Sequence, residues 1–266
     1  LLGPAARAPI GLLYRLQTIG LGVNNVLFMR LGELARAFLA ARELKLPLAT
    51  VLSSVAVERA LDVAALLSIF SLAAWLTPGI VPAAVLQGAL VVLGGALGGL
   101  AALAFSGAAL APGGRWHRLL ERSPALQRLV GQLAMGASVL RAPVACAKAA
   151  ALSLTLWLLD AGVYWCAARA LSLDAHIDYV RSVLVLAWAG AGSALPAAPG
   201  AIGTFEAAVK AVLELFGVAP AVAFGYALFV HMVMYLLVTG LGLFFLHRIG
   251  FSLRELQTAV RGRPAP

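Results

Sequence analysis

Charge is scarce in this chain. Asp, Glu, Lys and Arg make up 12% of it, against about a quarter in an ordinary soluble domain. Cysteine is scarcer still. Cys146 and Cys166 fall in one predicted helix, about 30 Å apart at 1.5 Å rise per residue, which excludes a disulfide between them. No Cys/His spacing matches a zinc site. There is no G-x-x-x-x-G-K-[ST] phosphate loop, which excludes an ATPase motor of that class in this chain, and no G-x-S-x-G nucleophile elbow. No metal, cofactor or catalytic group is expected, and the chain is read as not an enzyme. The sequence begins at Leu1 without a Met or a signal-peptide pattern, so an N-terminally truncated chain is expected.

What is abundant is apolar. Hydrophobic residues reach 62% and mean hydropathy is +0.95. Repeated apolar runs long enough to cross about 30 Å of hydrocarbon predict a polytopic, all-α membrane protein. Residues 1–266 read as a single membrane domain. The net charge of +9 lies mostly between the apolar runs, as the positive-inside rule expects, so nucleic acid is not the expected partner.

Helices are predicted over 48–74, 83–106, 144–171 and 219–246, each long enough to cross. Two further stretches, 11–44 and 180–216, are apolar but interrupted. Treated as hairpins that enter and return, they leave most of the 20 Lys and Arg on one side, with Arg169 and Arg181 opposite. Treated as ordinary crossings, they spread the basic loops over both sides. The charge bias favours two re-entrant broken-helix hairpins with cytoplasmic N and C termini. Laying the second half on the first so that Glu206 falls on Glu33 also places Pro220 on Pro47 and His231 on Glu58, which suggests an inverted repeat. Residues 114–142 carry Arg115, Arg118, Arg122, Arg128 and Arg141, with Leu126, Leu129, Val130, Leu133, Ala137 and Leu140 at helical spacing. They predict an amphipathic helix in the membrane interface. Gly94, Gly95, Gly98 and Gly99 form two GxxxG spacings, read as tight helix packing rather than a dimer seam.

Three constellations carry chemistry. The first is Arg30-Leu-Gly32-Glu33 with Arg36 one turn on; Glu33 and Arg36 can simply pair on a solvated helix. The second is Glu58-Arg59-Ala-Leu-Asp62 inside a long apolar helix. A charge at membrane depth costs roughly 2.5–3.5 kcal/mol, so these three need partners. Arg59 and Asp62 can pair at i,i+3, whereas Glu58 and Arg59 point about 100° apart. The alternative is an interfacial triad with a snorkelling Arg59. The third is Leu195-Pro-Ala-Ala-Pro199-Gly200-Ala-Ile-Gly203-Thr-Phe-Glu206. Its prolines stop a helix, its glycines permit unusual backbone, and Glu206 falls in the first turn of the next helix. Asp160 and His231, inside predicted spans, are candidates for a proton pathway or for structural hydrogen bonds. Asp174, His176 and Asp178 have a spacing that mimics a metal site, but they read more simply as a polar loop.

In that order, Asn24-Asn25…Arg30-Leu-Gly-Glu-Leu-Ala-Arg36-Ala, Glu58-Arg59…Asp62 and residues 195–206 resemble the lysylphosphatidylglycerol synthase transmembrane-region family of flippase-like membrane proteins. The resemblance covers about residues 14–247. It implies a bacterial or archaeal membrane protein that moves or handles lipids. Arg30, Gly32, Glu33, Arg36, Glu58, Arg59, Asp62, Pro199, Gly200, Gly203 and Glu206 match its motifs, and Lys210 adds a nearby cation. The family's further N-terminal helices and the synthase branch's aminoacyl-transferase domain have no counterpart here, so synthesis of lysyl-lipid is not expected. The expected function is translocation of a polar or anionic phospholipid or glycolipid headgroup across the bacterial inner membrane. The alternatives are a membrane-embedded transferase of lipid or lipid-linked sugar synthesis, and a scaffold for a lipid-modifying enzyme. Self-association is open.

Overall fold

The computed structural model describes residues 8–27, 31–109, 124–195, 198–253 and 255–256. Arg30, Arg115, Arg118, Arg122 and residues 196–197 lie outside the described residues. Within them the chain forms helices and no strand. In chain order these are α1 (Ile10–Val26), α2 (Leu31–Leu44), α3 (Leu48–Leu76), α4 (Ala83–Ala109), α5 (Pro124–Gly136), α6 (Pro143–Ala170), α7 (Tyr179–Ala194), α8 (Thr204–Leu215) and α9 (Pro220–Arg248). Single 3-10 turns follow α5 and precede α8.

Three helices, α4, α6 and α9, are long and apolar enough to cross a membrane. At most 17% of each one's most apolar window is buried within the chain. Leu90 and Val91 on α4, Leu152, Leu156 and Leu159 on α6, and Leu236, Leu237 and Leu241 on α9 point outward. Lipid is the solvent that tolerates such a surface. The fourth expected crossing, α3, has 29 residues and so the length, but it carries Glu58, Arg59 and Asp62 and is not among the three. By contrast α7 is buried on all sides from Ser182 to Ala187, which makes it the centre of the larger core.

The two interrupted stretches are helix hairpins. α1 packs on α2, and α7 on α8. Each hairpin then packs across the bundle: α1 on α9, and α7 on α3. The two halves share a backbone register. α2 ends with Lys45 at φ 52° and α8 with Gly217 at φ 79°. Leu46 N–H donates to the Ala41 carbonyl and Val218 N–H to the Leu213 carbonyl, the same left-handed C-cap twice. α3 and α9 follow with 29 residues each. One constant offset relates all these pairs: Lys45 to Gly217, Leu46 to Val218, and Leu48 to Pro220. The alignment of Glu206 on Glu33 uses an offset one residue larger, which is the offset between the starts of α2 and α8, Leu31 and Thr204.

Close approach inside the hairpins repeats at the offset of the turns. A Cβ on Gly20 would meet the Gly32 carbonyl and Arg36 Cβ. A Cβ on Gly192 would meet the Thr204 carbonyl and Ala208 Cβ. At Gly32 a Cβ would collide with the Gly20 carbonyl oxygen and Asn24 Oδ1.

Of the expected amphipathic helix over 114–142, the described part is one helix followed by a tighter turn. Residues 114–123 lie outside the described residues, α5 ends at Gly136, and a 3-10 turn takes over at Ser138–Arg141. Gly136 is the cause: its missing side chain lets α5 press against the Thr50 carbonyl and Ser54 backbone of α3. Ser53 Oγ locks the contact by donating to the Leu133 carbonyl at 2.7 Å. Gly94, Gly95, Gly98 and Gly99 do not mediate tight packing within the chain either. A Cβ at each would meet nothing within 4 Å.

Gly32→Ala is expected to lower stability by about 1–3 kcal/mol, the usual cost of forcing atoms into a packed contact. Gly98→Ala, in open space, is expected to be near neutral. Thermal unfolding in detergent micelles reads both.

Candidate functional site

The polar residues of the first half converge because α2 folds back along α1 and lies against α3. Asn24, near the end of α1, accepts the Gly32 N–H at 2.7 Å. That satisfies one of the otherwise orphaned donors at the start of α2. Arg36, one turn further on, is 8% exposed. Its Nη1 donates to Glu58 Oε1 on α3 at 2.8 Å and to Gln17 Oε1 on α1. The i,i+3 pair of Glu33 with Arg36 does not form, because Glu58 takes the guanidinium.

From Glu58 the network continues along α3. Arg59 Nη2 lies 2.7 Å from Glu58 Oε1 and 2.9 Å from Asp62 Oδ2, and Arg59 Nε lies 4.0 Å from Glu33 Oε1. Glu58 and Arg59 leave the helix in different directions, yet the long Arg59 side chain curls back to bridge them. Asp62 Oδ1 accepts from Ser153 Oγ on α6 at 2.8 Å. Three carboxylates and two guanidiniums thus tie α2, α3 and α6 together, with Gln17 as the link to α1.

A pocket opens beside this network, lined by Gln17, Gly20, Leu21, Asn24, Glu33, Arg36 and Arg59. Among the described residues, the buried Arg36 Nη2 and Arg59 Nε find no hydrogen-bond partner. A buried guanidinium with a free donor is costly unless something accepts from it. Both donors belong to residues that line the pocket.

The second half builds a different constellation at its own tip. The turn Pro199–Ala201 places Gly200 at φ 68° and Ala201 at φ 59°, and Gly203 follows at φ 92°. Left-handed backbone suits the two glycines and strains the alanine. Gly203 caps α8, its N–H donating to Glu206 Oε2 at 2.7 Å. The other carboxylate oxygen, Oε1, is 2.6 Å from His231 Nδ1 on α9. His231 Nε2 donates to the Gly200 carbonyl at 2.9 Å. Phe205 stacks on the imidazole at 4.3 Å between ring centres. Glu206 and His231 are both more than nine-tenths buried. The sequence singled out each of them but did not join them; they lie on different helices, and no local spacing links them.

The end of α1 reaches α9 and the turn before α8. Tyr235 Oη donates to the Asn25 carbonyl at 3.3 Å, Asn25 Nδ2 donates to Thr239 Oγ1 at 2.9 Å, and α1 packs on the turn Pro199–Ala201. The two polar constellations nonetheless stay separate, since Pro199, Gly200, Gly203 and Glu206 do not line the pocket around Arg36. Lys210 does not either. It pairs one turn on with Glu214 at 2.7 Å on the exposed side of α8. Asp160 lies on α6 and takes no part in the hydrogen bonds of the Glu206–His231 pair. Asp178 accepts from Arg181 N–H as the cap of α7, and Arg181 Nη1 donates to the His176 carbonyl. That loop is occupied in starting a helix.

Among the described residues the chain is all-helical, and three helices long and apolar enough to cross a membrane, with paired hairpins and an internal charged network, make it a polytopic membrane protein. It belongs to the lysylphosphatidylglycerol synthase transmembrane-region family, described as the lysylphosphatidylglycerol synthase TM region, which matches residues 1–242. No curated protein and no solved structure matches it.

Glu58 is the carboxylate shared by both guanidiniums. Glu58→Ala is expected to cost about 3–5 kcal/mol, because it strands the buried Arg36 charge. The double replacement Arg36→Met with Glu58→Leu is expected to recover most of that loss. A double-mutant cycle by thermal unfolding measures the difference. Ala201→Gly relieves one left-handed residue and is expected to add about 1 kcal/mol by the same measurement.

Proposed function

We propose that the chain is a lipid translocase of flippase-like type, which passes a polar or anionic headgroup through the pocket beside Arg36 while the acyl chains stay in lipid. The observation that carries this is the buried Arg36, one nitrogen of which has no acceptor among the described residues although its neighbours are paired. A phosphate oxygen supplies the missing acceptor, and guanidinium is the donor group best matched to phosphate. The start of α2 adds its positive dipole end near the same pocket. Glu33 leans towards Arg59 from 4.0 Å. It is free to orient Arg59 or to meet a positive headgroup atom.

The shared backbone register and the exchanged packing, α1 on α9 and α7 on α3, support an inverted repeat in which both hairpins are re-entrant and meet within the membrane. Broken backbone at such depth is tolerated where protein covers it or water lines it. Headgroup passage then follows from rocking one half against the other. The bias of the basic loops supports cytoplasmic termini and a bacterial inner membrane.

The test uses the full chain reconstituted in liposomes with acyl-labelled fluorescent phosphatidylglycerol, read by dithionite quenching of the outer leaflet. Arg36→Gln and Arg59→Ala are each expected to slow label movement roughly tenfold or more, the effect of losing one charged hydrogen bond. Unchanged rates in both variants would remove the pocket from the lipid path.

A further inference from the structure

We propose that Glu206 and His231 together form a proton-binding site that locks the tip of the second hairpin, and that loss of its proton to water opens that tip. The argument rests on donor and acceptor chemistry. A backbone carbonyl only accepts, so the 2.9 Å contact with the Gly200 carbonyl puts a proton on His231 Nε2. His231 Nδ1 then faces Glu206 Oε1 at 2.6 Å. A neutral imidazole protonated at Nε2 offers only a lone pair there, and so does a carboxylate. A contact this short needs one more proton between them, held as imidazolium with carboxylate or as imidazole with carboxylic acid. Either form gives the pair no net charge, and the proton belongs to the pair rather than to one residue.

Among the described residues, no other group in hydrogen-bond contact with the pair substitutes for that proton. On α8 the nearest cation, Lys210, is one turn on and paired with Glu214. On α9 the facing group is Tyr235, edge-on to the imidazole at 6.1 Å between ring centres. From α6 the titratable groups are Tyr164, whose carbonyl accepts the Tyr226 hydroxyl, and Asp160 one turn before it. From α1 the hairpin contributes Asn25, which does not titrate. From the turn Pro199–Ala201 the pair receives the Gly200 carbonyl alone.

The step balances simply. The shared proton leaves to water, the bond between Nδ1 and Oε1 breaks, and the pair becomes neutral imidazole beside carboxylate. Two lone pairs then face each other in a site more than nine-tenths buried. The carboxylate keeps the backbone donors at the start of α8, the Gly203 N–H at 2.7 Å foremost, and is otherwise short of water. Hydrating it requires residues 200–203 to part from α9. The strained Ala201 favours that release. Proton binding and tip closure are therefore linked, and by reciprocity a closed tip holds the proton more tightly.

The test is hydrogen–deuterium exchange on the full chain in lipid nanodiscs, between about pH 5 and about pH 9. Rates are normalised to an unstructured peptide of the same sequence. In the wild type, normalised exchange of the amides in 200–207 is expected to rise roughly ten- to hundredfold at the higher pH, while α6 stays protected. Glu206→Gln keeps the protonated pattern without a titratable proton: its amide donates to Nδ1 and its oxygen accepts from Gly203. Its exchange is expected to be low at both pH values. A wild-type rate independent of pH overturns the proposal, and so does a Glu206→Gln chain that keeps the wild-type response. Tip opening is read here directly, so the result stands apart from whether Arg36 lies on a lipid path.

Discussion

A helix hairpin whose tip sits among apolar helices leaves backbone N–H groups that water does not reach, and the chain must supply their acceptors itself. The caps of both hairpins' second helices answer that constraint. In the first hairpin Asn24 takes the Gly32 N–H, and in the second Glu206 takes the Gly203 N–H. The first solution is neutral and short. The second brings a carboxylate into a buried place, and the carboxylate then demands His231. His231 in turn fixes the Gly200 carbonyl. One unsatisfied amide thus leads to a capped helix, a buried proton site and a fixed loop.

The two halves show what a shared backbone leaves free. In the register that lays Pro220 on Leu48, Arg59 on α3 and His231 on α9 occupy the same position. Each faces a carboxylate near the start of its own hairpin's second helix, Glu33 for Arg59 and Glu206 for His231. The pairings differ in tightness. Arg59 is 4.0 Å from Glu33 because Glu58 and Asp62 compete for it, whereas His231 has a single carboxylate at 2.6 Å. The crowded half has a pocket beside its network and, among the described residues, two guanidinium nitrogens without a partner.

Much of this was legible in particular residues. The bias of the basic residues pointed to two hairpins, Pro199-Gly200 marked a break in the second, and Glu58, Arg59 and Asp62 announced a helix with internal partners. Legibility stopped where a contact depended on reach or on a missing side chain. Helical angles separate Glu58 from Arg59, yet arginine is long enough to return. Leucine spacing predicts one amphipathic helix over 114–142, but Gly136 lets α3 come close enough to end it. The four glycines at 94–99 read as packing, but a Cβ at each would meet nothing within 4 Å among the described residues.

The sequence by itself determined the solvent, the helices and the charged inventory, because hydropathy, helix breakers and charge are properties of residues close together in the chain. Only the tertiary structure decided the pairings. Arg36 with Glu58, Asp62 with Ser153 and Glu206 with His231 join separate helices. Which partners meet depends on where glycines such as Gly20, Gly136 and Gly192 let backbones approach. The physical reason is range: local pattern sets what a segment is, and packing distance sets whom it touches.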